Sequence, residues 1–144
     1  MDLRIKPVDG TVVRYSFLWP HERKAGLREG TKDRACVVVM SSSDGRFLLA
    51  PITSRPPEKS TSIDLPLEIK RHLGLDERKS WVIASNLNKF TWPGFDIRAV
   101  PGKSPPTYSY GRLPSGYLLQ IQSTLAGLAR KRLVVTIERD DGPS

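Results

Sequence analysis

Two apolar runs of strand length, residues 34–40 (RACVVVM) and 46–53 (RFLLAPIT), are separated by only five residues, SSSDG. No other feature restricts the fold as tightly. Valine and leucine at this density belong in a sheet, packed against other elements. The closing Asp44-Gly45 pair suits a hairpin turn that needs positive φ. An arginine stands at the mouth of the first strand and a threonine at the far end of the second. That placement raises the question of whether Arg34 and Thr53 are two halves of one site.

The flanking sequence supplies what must cover the hairpin. In TVVRYSFLW, Val13, Tyr15, Phe17 and Trp19 alternate with smaller or polar neighbours, the period-two mark of a half-buried strand. Residues 20–33 read as a charged loop, and SRPPEKSTS as a second loop, because adjacent prolines remove donors and fix φ. DLPLEIKRHLG predicts a short helix with Asp64 as cap, Pro66 in its first turn and Gly74 past its end. SWVIAS predicts a strand, GFDIRAVPG a shorter one, and KSPPTYSYG a proline-rich connector. Near the C-terminus, Leu118, Ile121, Leu125 and Leu128 recur at helical spacing. Arg130, Lys131 and Arg132 follow where cations favour the helix dipole. Short strands punctuated by Pro and Gly, closed by one helix, predict a mainly β, α+β chain built as a small SH3-like barrel. A length of 144 residues suits a single domain, with residues 1–9 and 139–144 as flexible tails.

Charge and cysteine content narrow the function classes. The chain carries 23 Lys+Arg against 15 Asp+Glu, a net +8, which attracts polyanions such as nucleic acid. Its one cysteine, Cys36, excludes an internal disulfide and a cysteine-based zinc site, and its apolar setting marks it as a small core residue. Neither a signal peptide nor a membrane-length apolar segment is present, so a cytoplasmic protein without membrane contact is expected. The two histidines, His21 and His72, form no metal-ligand spacing, and HExxH and glycine-rich phosphate loops are missing. The Asp140-Asp141 pair reads as solvated tail. No metal or cofactor is expected.

Several features occur in a telling order. Gly10 leads an apolar strand, Glu29-Gly30 precedes Arg34 with four residues between Glu29 and Arg34, a valine-rich strand follows, and Ile52-Thr53 closes the next. Together with the segment YGRLPSGYLLQIQSTLAGL, this order resembles the MazF/PemK family of toxin ribonucleases across most of the chain. Ala35 stands where that family has proline, and the charged loop at 20–33 is longer than usual. The resemblance implies the toxin of a type II toxin–antitoxin pair. Such a toxin is a homodimer, controlled by a cognate antitoxin encoded nearby. It is a sequence-specific, metal-independent endoribonuclease that cuts single-stranded RNA to 2′,3′-cyclic phosphate and 5′-hydroxyl ends.

That chemistry suits the residues. Attack by the 2′-oxygen builds negative charge on the phosphoryl oxygens, which a guanidinium can meet two at a time. Arg34 fits that role, and the Thr53 hydroxyl can donate to the same group. A general base could come from Glu29 or His21. Candidate RNA contacts are Lys24, Arg28 and Lys32 in the long loop, Ser54 and Arg55 after Thr53, and Lys89, Phe90, Trp92 and Phe95 in KFTWPGF. Interleaved rings and cations there could stack bases, or the rings could simply cap the barrel. An arginine at a strand mouth can also be merely structural, paired with Asp33 or Glu29. Two other functions remain open. One is a non-catalytic inhibitor of a protein target, as in CcdB relatives, and the other is a basic RNA-binding barrel.

Overall fold

The computed structural model describes residues 1–140, so Asp141 and the last three residues lie outside the described residues. At its centre is the expected hairpin, β2 (Arg34–Ser41) and β3 (Arg46–Thr53), paired antiparallel with Val37 opposite Ala50. Gly45 takes φ +84 in the turn, a conformation that favours glycine, and Ser42 and Arg46 close it through their backbones at 2.9 Å. β1 (Thr11–Tyr15) lies on the other side of β2. Both flanking strands then fork. The first half of β3 pairs with β6 (Asn86–Thr91), and its last two residues pair with β5 (Ser80–Ile83). β1 pairs with β8 (Ser109–Arg112) along its first part and with β7 (Ile97–Arg98) at its end. β4 (Ser62–Leu65) lies outside β5, and β9 (Val135–Glu138) runs parallel to β6.

The outer strands do not pair with one another among the described residues, so the sheet is curled but not closed into the expected barrel. Closure needs one continuous ladder of staggered strands. Here the two forks divert the ladder into separate wings. The mainly antiparallel sheet with one C-terminal helix is otherwise as expected. α3 (Ser115–Arg130) buries Leu118, Ile121, Leu125 and Leu128 against Val12, Val37, Val39 and Ala50. Gln122 and Tyr117 tie it further, donating to the Val39 and Asp64 carbonyls at 2.9 and 2.7 Å. On the opposite face, Val13, Tyr15, Phe17, Cys36, Phe47 and Phe90 form a second core, so β1 alternates between two cores, with Val12 in the first, and is buried on both faces where a half-buried strand was expected. No helix of the described residues is long and apolar enough to cross a membrane.

Four local expectations are corrected. Asp64 is not a helix cap: it belongs to β4 opposite Trp81, and Pro66 precedes α2 (Leu67–His72) instead. The charged loop opens with a helical turn, α1 (Pro20–Lys24), started by proline at its first position. The proline-rich connector contains β8, because Ser109–Arg112 completes the free edge of β1. Nor do the described terminal residues behave as tails. Leu3 accepts a hydrogen bond from the Trp92 indole at 2.8 Å, and Ile5 accepts one from Tyr108 at 3.2 Å. Asp140 accepts from the Thr91 amide and hydroxyl, both at 2.7 Å.

Arg139 is the larger surprise. Its side chain is 2% exposed and its guanidinium meets Asp96 at 2.7 Å, Asn88 Oδ1 at 2.6 Å and the Ser16 carbonyl at 2.9 Å. Asn88 in turn clamps the backbone of Leu18 through both halves of its amide, at 2.9 Å each. A charge buried this deeply persists only when fully partnered. Asp96→Ala, which strands Arg139, is expected to cost about 3–5 kcal/mol in urea unfolding. A loss below about 1 kcal/mol would show that the pair does not anchor the fold.

Candidate active site

The β2–β3 register brings Arg34 and Thr53 together. Cys36 stands opposite Pro51, and the same register continued two residues toward the strand ends sets Arg34 across from Thr53. Residues opposite one another share a face of the sheet. Both border a groove of about 500 Å³, walled by Trp19, His21 and Glu22 on one side and by Pro56, Ile83 and Asn86 on the other. His21, Lys32, Ser54 and Arg55 line it as well, so six of the sequence-derived candidates converge there.

Arg34 has no carboxylate partner among the described residues. Its Nη1 donates weakly to the Ile52 carbonyl at 3.4 Å, its guanidinium lies 5.3 Å from the Trp19 ring centre, and its buried Nε has no hydrogen-bond partner. The structural alternative required Glu29 or Asp33 to pair with it, and both are taken by Arg98. Arg98 meets Glu29 at 3.1 Å, Asp33 at 3.6 Å and Asp96 at 3.5 Å. A buried donor without a partner costs about 1–3 kcal/mol unless something else supplies an acceptor. Thr53 complements it: its Oγ1 accepts from the Arg55 amide at 3.1 Å, and the hydroxyl proton is left to point elsewhere. The pair thus offers a fixed positive charge and a hydroxyl donor on one wall.

The groove wall is set by a carboxylate that sequence reasoning missed. Glu22 is only 4% exposed. It accepts hydrogen bonds from the Trp19 amide at 2.9 Å, the Thr31 amide at 3.0 Å and the Thr31 hydroxyl at 2.7 Å. This staples both ends of the long loop together and fixes Trp19 against Arg34. Burial by itself raises the Glu22 pKa. The hydrogen bonds from Trp19 and Thr31 outweigh it, and the carboxyl is held below its ordinary value. Gly30 makes the return path possible: a Cβ there would stand 2.1 Å from the Phe17 carbonyl oxygen. A signal for Glu22 exists in the sequence, since Pro20 followed by an acid two residues on marks a helix start. Nothing local signals that the acid also reaches Thr31.

The other candidates lie elsewhere. Glu29 faces Arg98, outside the groove, because the loop turns it toward β7. Lys24 and Arg28 are exposed on the outer part of the loop and do not border the groove. Lys89 is in β6, opposite Leu48 and Glu138. Phe90 and Trp92 are core residues at 1% and 9% exposure, Phe90 stacked on Tyr15 and Trp92 tilted against Phe47, so these two rings cap the sheet and present no platform for bases. Phe95 is exposed but sits over the Arg139 side of the molecule. Among the described residues, no three His, Cys, Asp or Glu side chains are grouped as metal ligands would be.

The Glu22 staple has a definite pH signature. Its folded pKa lies below the unfolded value of about 4.3. Its stabilisation is therefore present above that value and lost as pH falls through the folded pKa. The Thr31 amide resonance should hold steady as pH falls to the unfolded value and shift only below it. A midpoint above the unfolded value would contradict the staple. Glu22→Gln turns an NH₂ against N–H donors and should cost about 1–3 kcal/mol in thermal or urea unfolding.

No protein-family model matches this sequence, and no curated protein does either. Solved structures do. An endoribonuclease in complex with its cognate antitoxin, from a mycobacterial species, matches 87% of this chain and 96% of its own, with a TM-score of 0.55 and 13% identity. A MazE–MazF structure from Deinococcus radiodurans matches 86% of this chain and 96% of its own, with a TM-score of 0.54 and 21% identity. The chain shares the fold of these MazF-type structures.

Proposed function

We propose that this chain is the toxin of a type II toxin–antitoxin pair. It acts as a sequence-specific, metal-independent endoribonuclease on single-stranded RNA in the cytoplasm. The observation that carries the reading is the Arg34–Thr53 pair. An arginine without a carboxylate stands across from a threonine hydroxyl in a groove, with its Nε unused. A phosphodiester supplies the acceptors that this arrangement lacks.

In this reading the substrate's 2′-oxygen attacks the adjacent phosphorus and expels the 5′-oxygen, leaving a 2′,3′-cyclic phosphate and a 5′-hydroxyl. Arg34 and Thr53 meet the charge that develops on the phosphoryl oxygens. Glu22 has three donors on its carboxylate, and Glu29 points away from the groove. His21 is the remaining groove residue suited to accept the 2′-hydroxyl proton. The leaving 5′-oxygen takes a proton from solvent. Lys32, Ser54 and Arg55 hold the flanking backbone.

Purified protein incubated with RNA in EDTA tests the reading, with end-group analysis of the fragments. Arg34→Ala and Thr53→Val should each slow cleavage roughly a hundredfold or more, about 3 kcal/mol in the barrier. Arg34→Lys should rescue little, because an ammonium cannot reproduce the two-pronged contact. Thermal melts of the variants should stay near wild type. Full activity in Arg34→Ala, or RNA left intact by the wild type, would refute the proposal.

The first neighbour is an endoribonuclease bound to its cognate antitoxin. We extend that pairing to this chain: a homodimer whose groove is covered by an antitoxin segment rich in acidic and apolar residues. The +8 charge favours such a partner. Light scattering should return twice the 16.1 kDa chain mass. Inhibition by the antitoxin should weaken as RNA is raised. A monomer with full activity, or inhibition indifferent to RNA concentration, would count against this assembly.

A further inference from the structure

Arg34, Thr53, Ser54 and Lys32 border a second, smaller cleft of about 250 Å³, which opens on the face of the sheet that α3 covers. The Arg34–Thr53 pair is therefore a threshold between two clefts, and a polynucleotide gripped there must continue into the second. We propose that this smaller cleft binds the backbone phosphate next to the one held by Arg34 and Thr53, with Arg14 as its principal cation. The inference rests on the proposed function for the identity of the strand, and it adds a site with its own chemistry.

Charge accounting inside the cleft singles out Arg14. Five cationic side chains line it (Arg14, Lys32, Arg34, Lys70 and Arg78) against two carboxylates, Asp33 and Asp76. Both carboxylates are already engaged. Asp76 is held by Lys70 and Arg78, each at 3.0 Å, and hydrogen bonds from Arg78 and then Lys70 keep its pKa at about 2. Asp33 pairs with Arg98 at 3.6 Å. Lys70 is buried and spends its donors on Asp76, on Ser80 Oγ at 2.7 Å and on the Arg78 carbonyl. Arg78 returns its charge to Asp76.

Among the described residues Arg14 has no such partner. Among the described residues its side chain makes one hydrogen bond, from Nη1 to the Tyr110 hydroxyl at 3.0 Å, and the ladder sets it across from Arg98, whose own charge is met by Glu29, Asp33 and Asp96. A half-buried guanidinium on the strand, with no carboxylate bonded to it among the described residues and steadied by a tyrosine, is built to meet an anion that arrives from outside. Its fork geometry suits a phosphate, and the Tyr110 contact limits the orientations that would be lost on binding.

The test uses the full chain and a fluorescent single-stranded oligonucleotide lacking 2′-hydroxyls, which can bind but cannot be cleaved. Affinity is measured across a series of salt concentrations. Removing one phosphate contact to a single strand should flatten the plot of log affinity against log salt by about 0.7. Arg14→Gln is expected to show that flattening, with about tenfold weaker binding at low salt. Arg14→Lys should restore the slope, and Tyr110→Phe should give a smaller loss of affinity with the slope kept. A wild-type slope in Arg14→Gln with an unchanged melting temperature would overturn the proposal, as would a wild-type chain that binds no single strand. If Arg14→Gln unfolds, the Arg14→Lys slope and the Tyr110→Phe affinity decide instead. Intact RNA in the EDTA assay refutes the endoribonuclease reading alone, because the binding slope is measured without cleavage.

Discussion

The buried contact between Arg139 and Asp96 is the constraint on which the rest of the architecture leans. At 2.7 Å, with Asn88 and the Ser16 carbonyl completing the guanidinium's partners, it joins the C-terminal strand to β6, to the start of β7 and to the exit of β1. Pairs of this kind contribute little net stability, because desolvation offsets the attraction, yet removing one partner is severe. Their effect is on geometry. Asp96 is held where its other oxygen faces Arg98 at 3.5 Å, and Asn88 grips Leu18, the residue just before Trp19. Both routes lead from the buried pair to the groove.

Along the first route, competition between arginines decides which charge is left over. Arg98 collects Glu29, Asp33 and Asp96, three carboxylates for one cation. Arg34, adjacent to Asp33 in sequence, receives none among the described residues. Along the second route, Leu18 sets the entry to α1, Glu22 returns to staple Thr31, and Trp19 comes to rest 5.3 Å from the Arg34 guanidinium. An indole beside a guanidinium orients it without cancelling its charge. The groove thus holds an arginine placed by packing, with its electrostatic capacity unspent.

Much of this architecture was legible in the chain. The β2–β3 hairpin, its Asp-Gly turn, the alternating face around β1 and the apolar stripe of α3 all follow from local periodicity and turn chemistry. So does the placement of Arg34 and Thr53 at matching ends of the hairpin. Less regular segments were misread. Val135–Glu138 is too short and too exposed to announce a strand, and it becomes one only because β6 offers an edge. Phe90 and Trp92 stand near a Pro-Gly turn, which suggested a loop. Their positions in and just after β6 turn both rings into the core with Phe47.

The sequence by itself determined the hairpin, the closing helix, the positive charge and the pair of residues at the strand ends, because each depends on neighbours within a few positions. The tertiary structure alone decided how the charges are shared out. Glu29 and Asp33 are close to Arg34 along the chain but bond to Arg98, which lies 69 and 65 residues further on. Glu22 looked like one more loop charge and is the staple of the groove. Arg139 looked like tail and is the most completely bonded cation in the core. An ion pair is selected by distance and burial in three dimensions, and the order of residues along the chain carries no record of which carboxylate each arginine will meet.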